Sequence, residues 1–381
     1  MIPIVQMINI TWVGRQQGKC NMVFLAPVRE FFYFSDPARY CYEKGQEVER
    51  MKKVVVSLLM FLMIAGMAGC VSQGDTNKAA EKDNAKVKVG IIQIVEHPAL
   101  DAARKGFLDE LAQKGYKEGE NLEVDYQNAQ NDQSNLQTIA RQLAQEKCDL
   151  ILAIATPSAV AMANETSEIP ILITAVTDPV SAKLIESNDK PGTNVTGTTD
   201  MNPVKDQLKL IKDIVPNAKK VGIIYNSSEV NSQVQVKIAD DAAPELGLKL
   251  TKVTVTASSE VMQAAQSLAG RVDAIYLPTD NMVISSLASV VKVAEANKIP
   301  VISGESESVA SGALATVGID YYKLGQTTGD MALRVIKGEK PQDMAIEKQE
   351  GTELVLNLKA AKNMGVTIPE SIISKAKNVI K

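Results

Sequence analysis

The chain is poor in the side chains on which most catalysis and metal binding rest. Histidine occurs once in 381 residues (His97), tryptophan once (Trp12) and cysteine four times, and aromatic residues make up 4%. One histidine and so few cysteines cannot furnish a metal cluster of the usual His/Cys kind. A Ser-His-Asp set would have to use His97, and no Gly-x-Ser-x-Gly elbow accompanies it. No glycine-rich phosphate loop ends in a lysine, and no Gly-x-Gly-x-x-Gly follows a strand-like run, which argues against nucleotide chemistry. A carboxylate-pair hydrolase stays open, since acids are common, but nothing selects a pair. Basic charge is not in excess either. The 41 Lys and Arg face 45 Asp and Glu, a net of −4, and beyond residue 69 the balance is 33 against 40, a net of −7. A mildly acidic chain lacks the basic face of a nucleic-acid binder, and no block of like charge marks a polybasic membrane patch. Neither a cofactor nor an enzyme activity is expected.

What is present begins late. Residues 51–70, MKKVVVSLLMFLMIAGMAGC, join a basic head (Lys52, Lys53), a short apolar core and the small-residue end Met67-Ala68-Gly69-Cys70. This reads as a secretory signal with a lipobox, in which the Cys70 thiol carries the lipid. The core is shorter than the ~20 apolar residues of a spanning helix. The expectation is a signal peptide at 51–69, a lipidated Cys70 with a flexible tether over 70–86, and a location on the outer face of the cell membrane. Residues 1–50 hold the only tryptophan and four of the six phenylalanines, without a period of 2 or 3.6. Gln46-Glu47-Val48 back-translates to codons that contain a bacterial ribosome-binding sequence, just ahead of Met51. Translation is therefore expected to start at Met51, with residues 1–50 a disordered, misread upstream extension. Cys148 is then the one unlipidated cysteine past the signal. It has no disulfide partner and is expected as a packed, inert thiol.

Beyond the tether the chain repeats itself. KVKVGIIQI (86–94) and KKVGIIY (219–225) share a Val-Gly-Ile-Ile core and read as parallel strands apolar on both faces. DLILAIA (149–155) precedes Thr156-Pro157-Ser158, as DAIYL (273–277) precedes Pro278-Thr279-Asp280. Ile169-Pro170-Ile171 likewise matches Ile299-Pro300-Val301. Order and spacing persist, which identifies a duplicated α/β unit. Amphipathic helices lie between. Leu100, Ala103, Phe107, Leu108 and Leu111 share one face, closed by Gly115; Leu136, Ile139, Ala140 and Leu143 follow a cap at Asp132 or Ser134. The fold class is α/β, with two doubly wound parallel-sheet lobes joined by a hinge. Lobe one is assigned to 87–200 plus about 319–345, and lobe two to 201–318 plus about 346–381.

In such sheets a ligand sits beyond the carboxyl ends of the strands. Those ends carry Gln93, Glu96 and His97; Thr156 and Ser158; Thr177 and Asp178; then Asn226, Ser227, Ser228 and Asn231; Asp280 and Asn281; Glu305; and Asp320 after a strand at 314–319. The turn at 156–158 opens a helix, whose free N–H groups form a ready anion site. Singly, Thr156, Asp178, Ser227 and Asp280 read equally as helix caps, and Glu96 with His97 as a solvated loop pair. Tyr225 and Tyr276 read as core. Polar residues recurring at matching ends of both copies are what a ligand clasped between two lobes requires.

The pieces VGIIQIVEHPALD (89–101), DLILAIATPSA (149–159), ITAVTDPVSAKL (173–184), PGTNVTGTTD (191–200), YNSSEVNS (225–232), PTDN (278–281) and GIDYYKLG (318–325) together carry a resemblance. The chain resembles the extracytoplasmic substrate-binding lipoproteins of ABC importers, in the branch that includes tryptophan- and tyrosine-binding proteins. The resemblance implies a type I periplasmic-binding-protein-like fold with a three-strand hinge. It implies a monomer that closes on one amino acid, Tyr, Trp or Phe, and hands it to ABC permease and ATPase subunits. The helix start at Thr156 and Ser158 and the Ser227-Ser228 turn suit the ligand carboxylate. Asp178, Asp280 or Glu305 suits the ammonium, and His97 flanks the side chain. Past residue 70 there is no tryptophan and only Phe107, so an aromatic ligand would be packed by Tyr, His, Met or aliphatic groups. Two other functions fit the same fold: a ligand-binding module for a membrane sensor, and an exported hydrolase. DNA-binding regulators are disfavoured, because a lipobox and no helix-turn-helix precedes residue 86.

Overall fold

Val89, Ile91 and Ile92 are fully buried although neighbours along a strand point to opposite faces. That is the mark of a strand covered on both sides. The structure, a computed structural model that describes residues 86–381, places them in β1 (Val87–Gln93). The signal segment, Cys70 and residues 1–50 lie outside the described residues, as does all but the last residue of the tether. The first sheet has the order β11-β5-β4-β3-β1-β2, built from β2 (Leu122–Asn128), β3 (Leu150–Ile154), β4 (Ile171–Val176), β5 (Val195–Thr199) and β11 (Glu347–Lys348), all pairs parallel. The second has the order β13-β12-β10-β9-β8-β6-β7. Its strands are β6 (Lys220–Asn226), β7 (Lys249–Val255), β8 (Ala274–Leu277), β9 (Val301–Ser303), β10 (Ala315–Gly318), β12 (Glu353–Asn357) and β13 (Asn378–Ile380). Only the β10–β12 pair is antiparallel. Each sheet has its own core, with Phe107, Leu111 and Leu143 in one and Leu208, Ile211 and Leu268 in the other. The fold is α/β in two lobes.

The duplication reaches individual hydrogen bonds. The Lys88 N–H donates to the Asp149 carboxylate at 2.7 Å, and the Lys219 and Lys220 N–H groups donate to Asp273 at 2.8 Å. The Ile151 N–H donates to the Pro170 carbonyl and the Ile275 N–H to that of Pro300, both at 2.9 Å. The glycine of each Val-Gly-Ile-Ile core serves one purpose. A Cβ on Gly90 would meet Cys148 Sγ and Leu143, and one on Gly222 would meet Leu268. Each glycine lets a helix side chain settle onto its sheet. Cys148 is buried there, its thiol pushed up by burial. The helix preceding it, α2 (Gln133–Gln145), is capped by Asp132, which accepts from the Asn135 N–H.

The chain passes between the sheets three times: after β5, after β10 and after β11. The second passage leads into α10 (Tyr321–Ile336), which returns to the first lobe and lies against α1 (Pro98–Gln113). A Cβ on Gly106 would stand 2.0 Å from the Tyr322 carbonyl oxygen, and one on Gly325 2.0 Å from that of Ala103. The two backbones therefore touch, and no side chain fits between them. A cavity of about 500 Å³ adjoins the passages, lined by Met201, Asn202, Pro203, Gln349 and Gly351 among others. Among the described residues no helix is long and apolar enough to cross a membrane.

Candidate functional site

The carboxyl ends of the two sheets face one another and meet. Thr177 after β4 and Thr279 after β8 bring their hydroxyl oxygens to 3.5 Å. His97 after β1 and Glu305 after β9 approach to 3.8 Å. These contacts join residues of different lobes, so the cleft between the strand ends is closed.

On the first lobe the cleft is lined by the start of α3 (Thr156–Glu165). Its N-cap residue is Ala155, which has no side-chain oxygen to accept the N–H groups of the first turn. Ala155 also adopts φ 75°, ψ 154°, a region that favours glycine. Backbone strain of this sort is held in place by its surroundings and is concentrated at functional sites. Thr156 and Ser158 are buried, and their hydroxyl oxygens have no hydrogen-bond partner. Two donor hydroxyls and the positive end of a helix make this wall a cradle for a carboxylate. The neighbouring strand contributes through an irregularity. The β4–β5 register shifts between Ile173 and Val176, with Ala175 at φ 55°, and this bulge sets the approach of Thr177 to the cleft.

The opposite wall and the passages carry acids. Asp200, where the chain leaves β5, is 3% exposed. One of its oxygens accepts from the Tyr321 hydroxyl at 2.7 Å, and the other, Oδ1, is buried without a partner. Burial pushes this carboxyl up, and the Tyr321 hydrogen bond and the nearby Thr177 side chain, which completes no hydrogen bond to it, oppose the shift. On the second lobe Glu229 accepts from the Asn231 side chain at 3.1 Å and from the Asn281 side chain at 2.5 Å, and also from the Asn281 and Met282 N–H groups. Burial and the nearby Asp280 charge push Glu229 up to about 8. Asn231 donates its second amide hydrogen to the Thr279 carbonyl at 2.8 Å. Both hydrogens are thus committed, and Asn231 Oδ1 is left as a buried acceptor without a partner. No Lys or Arg is buried among the described residues. His97, pushed down to about 4 by burial, brings no positive charge to these acids at neutral pH.

The structure sorts the residues named from the sequence into two groups. His97, Thr156, Ser158, Thr177, Asn231, Asn281 and Glu305 come together around the cleft. The others are committed elsewhere. Gln93 donates to the Val95 carbonyl and Asp101 and accepts from Arg104, which fixes the loop before α1. Glu96 is exposed and accepts from Tyr126. Asp178 accepts from the Val180 and Ser181 N–H groups and the Ser181 hydroxyl, closing its own turn. Asn226 turns back on Ser228, while Ser227 and Ser228 are exposed. Asp280 caps α7 (Asn281–Ser285) and also accepts from Ser232 and the Asn226 N–H, so its oxygens tie three segments. Asp320 caps α10 and pairs with Lys323. Sequence reasoning did not select Asp200, Glu229, Thr279 or Tyr321 as site residues. Their position at strand ends was the available signal, and it does not separate them from ordinary turns.

Comparison with known proteins places this architecture. Residues 88–380 match the family described as ABC transporter substrate binding protein. The chain is 47% identical over 312 residues to the tyrosine-binding protein of Clostridioides difficile (strain R20291), covering 80% of this chain and 90% of the relative. A crystal structure of an ABC domain in complex with L-Trp from Streptococcus pneumoniae is 38% identical, with a TM-score of 0.75, over 78% of this chain and 100% of that one. A ligand-free, open structure of a substrate-binding protein with adhesive properties from Clostridium difficile is 48% identical but has a TM-score of 0.59, over 77% and 99%. The more identical relative is the less similar in shape. Sequence divergence does not account for that order. The closed arrangement of the lobes seen here does.

Proposed function

The chain belongs to the ABC transporter substrate-binding protein family, and from that premise we propose that it captures a free aromatic amino acid between its lobes. The observation that carries this reading is the chemistry left open in the cleft. One wall presents an uncapped helix start with two unpartnered hydroxyls. At other strand ends stand Asp200 Oδ1 and Asn231 Oδ1, two buried acceptors without a hydrogen-bond partner, and no cationic side chain is buried among the described residues. A zwitterion complements both: its carboxylate on Thr156 and Ser158, its ammonium on Asp200 and Asn231 through charge-assisted hydrogen bonds. The names of the tyrosine-binding relative and of the L-Trp complex support an aromatic side chain. The protein works by hinge closure about the three passages, and the closed form delivers its ligand to the permease and ATPase subunits of an importer. Cys70 anchors it by lipid to the outer face of the membrane, as the lipobox pattern supports.

The test is thermal unfolding of the full chain, purified in mild detergent, with L-tyrosine, L-tryptophan, N-acetyl-L-tyrosine or L-tyrosinamide. A free amino acid at a hundredfold excess over its dissociation constant stabilises by about 2.7 kcal/mol. The two blocked analogues, each lacking one charge of the zwitterion, are expected to give little shift. If no free amino acid raises the midpoint, or if the blocked forms do so equally, the reading is overturned. Loss of acyl labelling on Cys70→Ala tests the anchor separately.

A further inference from the structure

Capture of a zwitterion leaves His97 and Glu305 unused. They come from opposite lobes, 4% and 3% exposed, and meet with Nδ1 and Oε2 3.8 Å apart. Neither ring nitrogen of His97 has a hydrogen-bond partner. The Asn281 side chain lies near enough to oppose the effect of burial on the ring, without completing a hydrogen bond to it. Glu305 accepts a single long bond, from the Ser308 hydroxyl at 3.3 Å. Burial, with the Glu307 and Asp200 charges, pushes Glu305 well up, and burial pushes His97 down to about 4. The imidazole is therefore neutral at neutral pH, with one N–H and one bare, accepting nitrogen. A buried neutral donor–acceptor pair does not suit a charged group. It suits a neutral polar one.

The strand order says which part of the ligand reaches it. Strands β5, β4, β3 and β1 are adjacent in that order, spaced by roughly 5 Å. Asp200 and Thr177 follow the first two, Thr156 and Ser158 follow β3, and His97 follows β1. An amino acid with its carboxylate on the start of α3 and its ammonium toward Asp200 directs its side chain the other way, toward β1. The polar atom at the far end of the side chain then comes to the edge of the His97–Glu305 contact, within reach of both. We propose that this cross-cleft pair reads the polar atom of the ligand ring, the phenol O–H of tyrosine or the indole N–H of tryptophan, and so rejects phenylalanine.

The inference rests on the amino-acid reading above. Its test is isothermal titration of the full chain in detergent with L-tyrosine, L-tryptophan and L-phenylalanine. Phenylalanine leaves the buried pair unsatisfied and is expected to bind roughly ten- to a hundredfold more weakly than the better of the other two. In His97→Leu that ratio falls to within about threefold, because the unsatisfied nitrogen is gone. Phenylalanine bound by the wild type as tightly as both others overturns the inference and leaves the amino-acid reading standing. So does an undiminished ratio in the variant. Failure to bind any amino acid overturns both. Should His97→Leu not fold, the wild type compared with L-tryptophan and 1-methyl-L-tryptophan tests the same hydrogen bond, and equal binding of the two overturns it.

Discussion

Asp200→Asn separates recognition from folding. In the ligand-free protein the amide oxygen can keep the Tyr321 hydroxyl bond of 2.7 Å, while the amide nitrogen takes the position of the unpartnered Oδ1. One unsatisfied buried atom replaces another, and a carboxyl that burial already disfavours as an anion is removed. The two changes oppose each other, so ligand-free stability is expected within about 1 kcal/mol of the wild type. For a chain of this size that is a midpoint shift of roughly 2–4 °C at most. The complex behaves differently. The substitution removes the counter-charge of a desolvated ammonium and points a donor at a donor, which costs about 2–5 kcal/mol. The dissociation constant is then expected to rise roughly thirty- to several-thousandfold. Isothermal titration with L-tyrosine and L-tryptophan gives the affinity, and thermal unfolding without ligand gives the stability. Affinity within threefold of the wild type would refute the placement of the ammonium. Lost affinity together with a midpoint lower by about 10 °C would show that Asp200 serves the fold instead, since such a fall exceeds the ~1 kcal/mol bound several times over.

Three further outcomes follow from the same geometry. Ser158→Ala removes a buried hydroxyl that has no protein partner, so ligand-free stability, read by thermal unfolding, holds, while affinity, read by titration, falls about tenfold or more, the worth of a hydrogen bond to a carboxylate. Gly325→Ala gains about 1 kcal/mol of helix propensity but drives a Cβ to 2.0 Å from the backbone oxygen of Ala103, where no side chain can yield. Overpacking at its upper end, about 3 kcal/mol, leaves a net loss of roughly 2 kcal/mol, visible as a lower urea midpoint. For pH, Glu229 and Glu307 rise to about 8 and 7 from an ordinary value of 4.5, both chiefly through burial. Their folded forms bind more protons than the unfolded chain, so their contribution declines as pH climbs through that range. His97, lowered to about 4 from 6.5, acts in the opposite sense, but only below pH 6.5. Ligand-free stability measured by urea unfolding should therefore fall between pH 6.5 and 8; a rise would show these carboxyls to be ionised and well satisfied.

The fold was legible because its signals are local. Two-sided burial writes itself as Val-Gly-Ile-Ile, Leu-Ile-Leu-Ala-Ile and Ile-Leu-Ile, and a duplication copies them in order. Asp132 was legible as a cap because a cap acts on the helix turn that follows it, here through Asn135. The contact of α1 with α10 was not legible, since Gly106 and Gly325 look like any helical glycine until the two helices cross. The same holds for Ala155, whose left-handed φ no alanine advertises.

The candidate site divides along the same line. From the sequence alone came the α/β class, the repeated lobes and the strand ends at which a ligand is expected, because hydrophobic period and turn chemistry are properties of neighbouring residues. Which polar atoms at those ends remain free was decided only in three dimensions. Asp178 closes its turn within three residues, whereas Asp280 is taken up by Asn226 and Ser232, 54 and 48 positions away. Asp200 keeps one oxygen free because Tyr321, 121 positions on, satisfies only the other, and that free oxygen is why it is proposed as a recognition group. Satisfaction of a buried hydrogen bond depends on every group packed around it, and the tertiary fold alone brings those groups together.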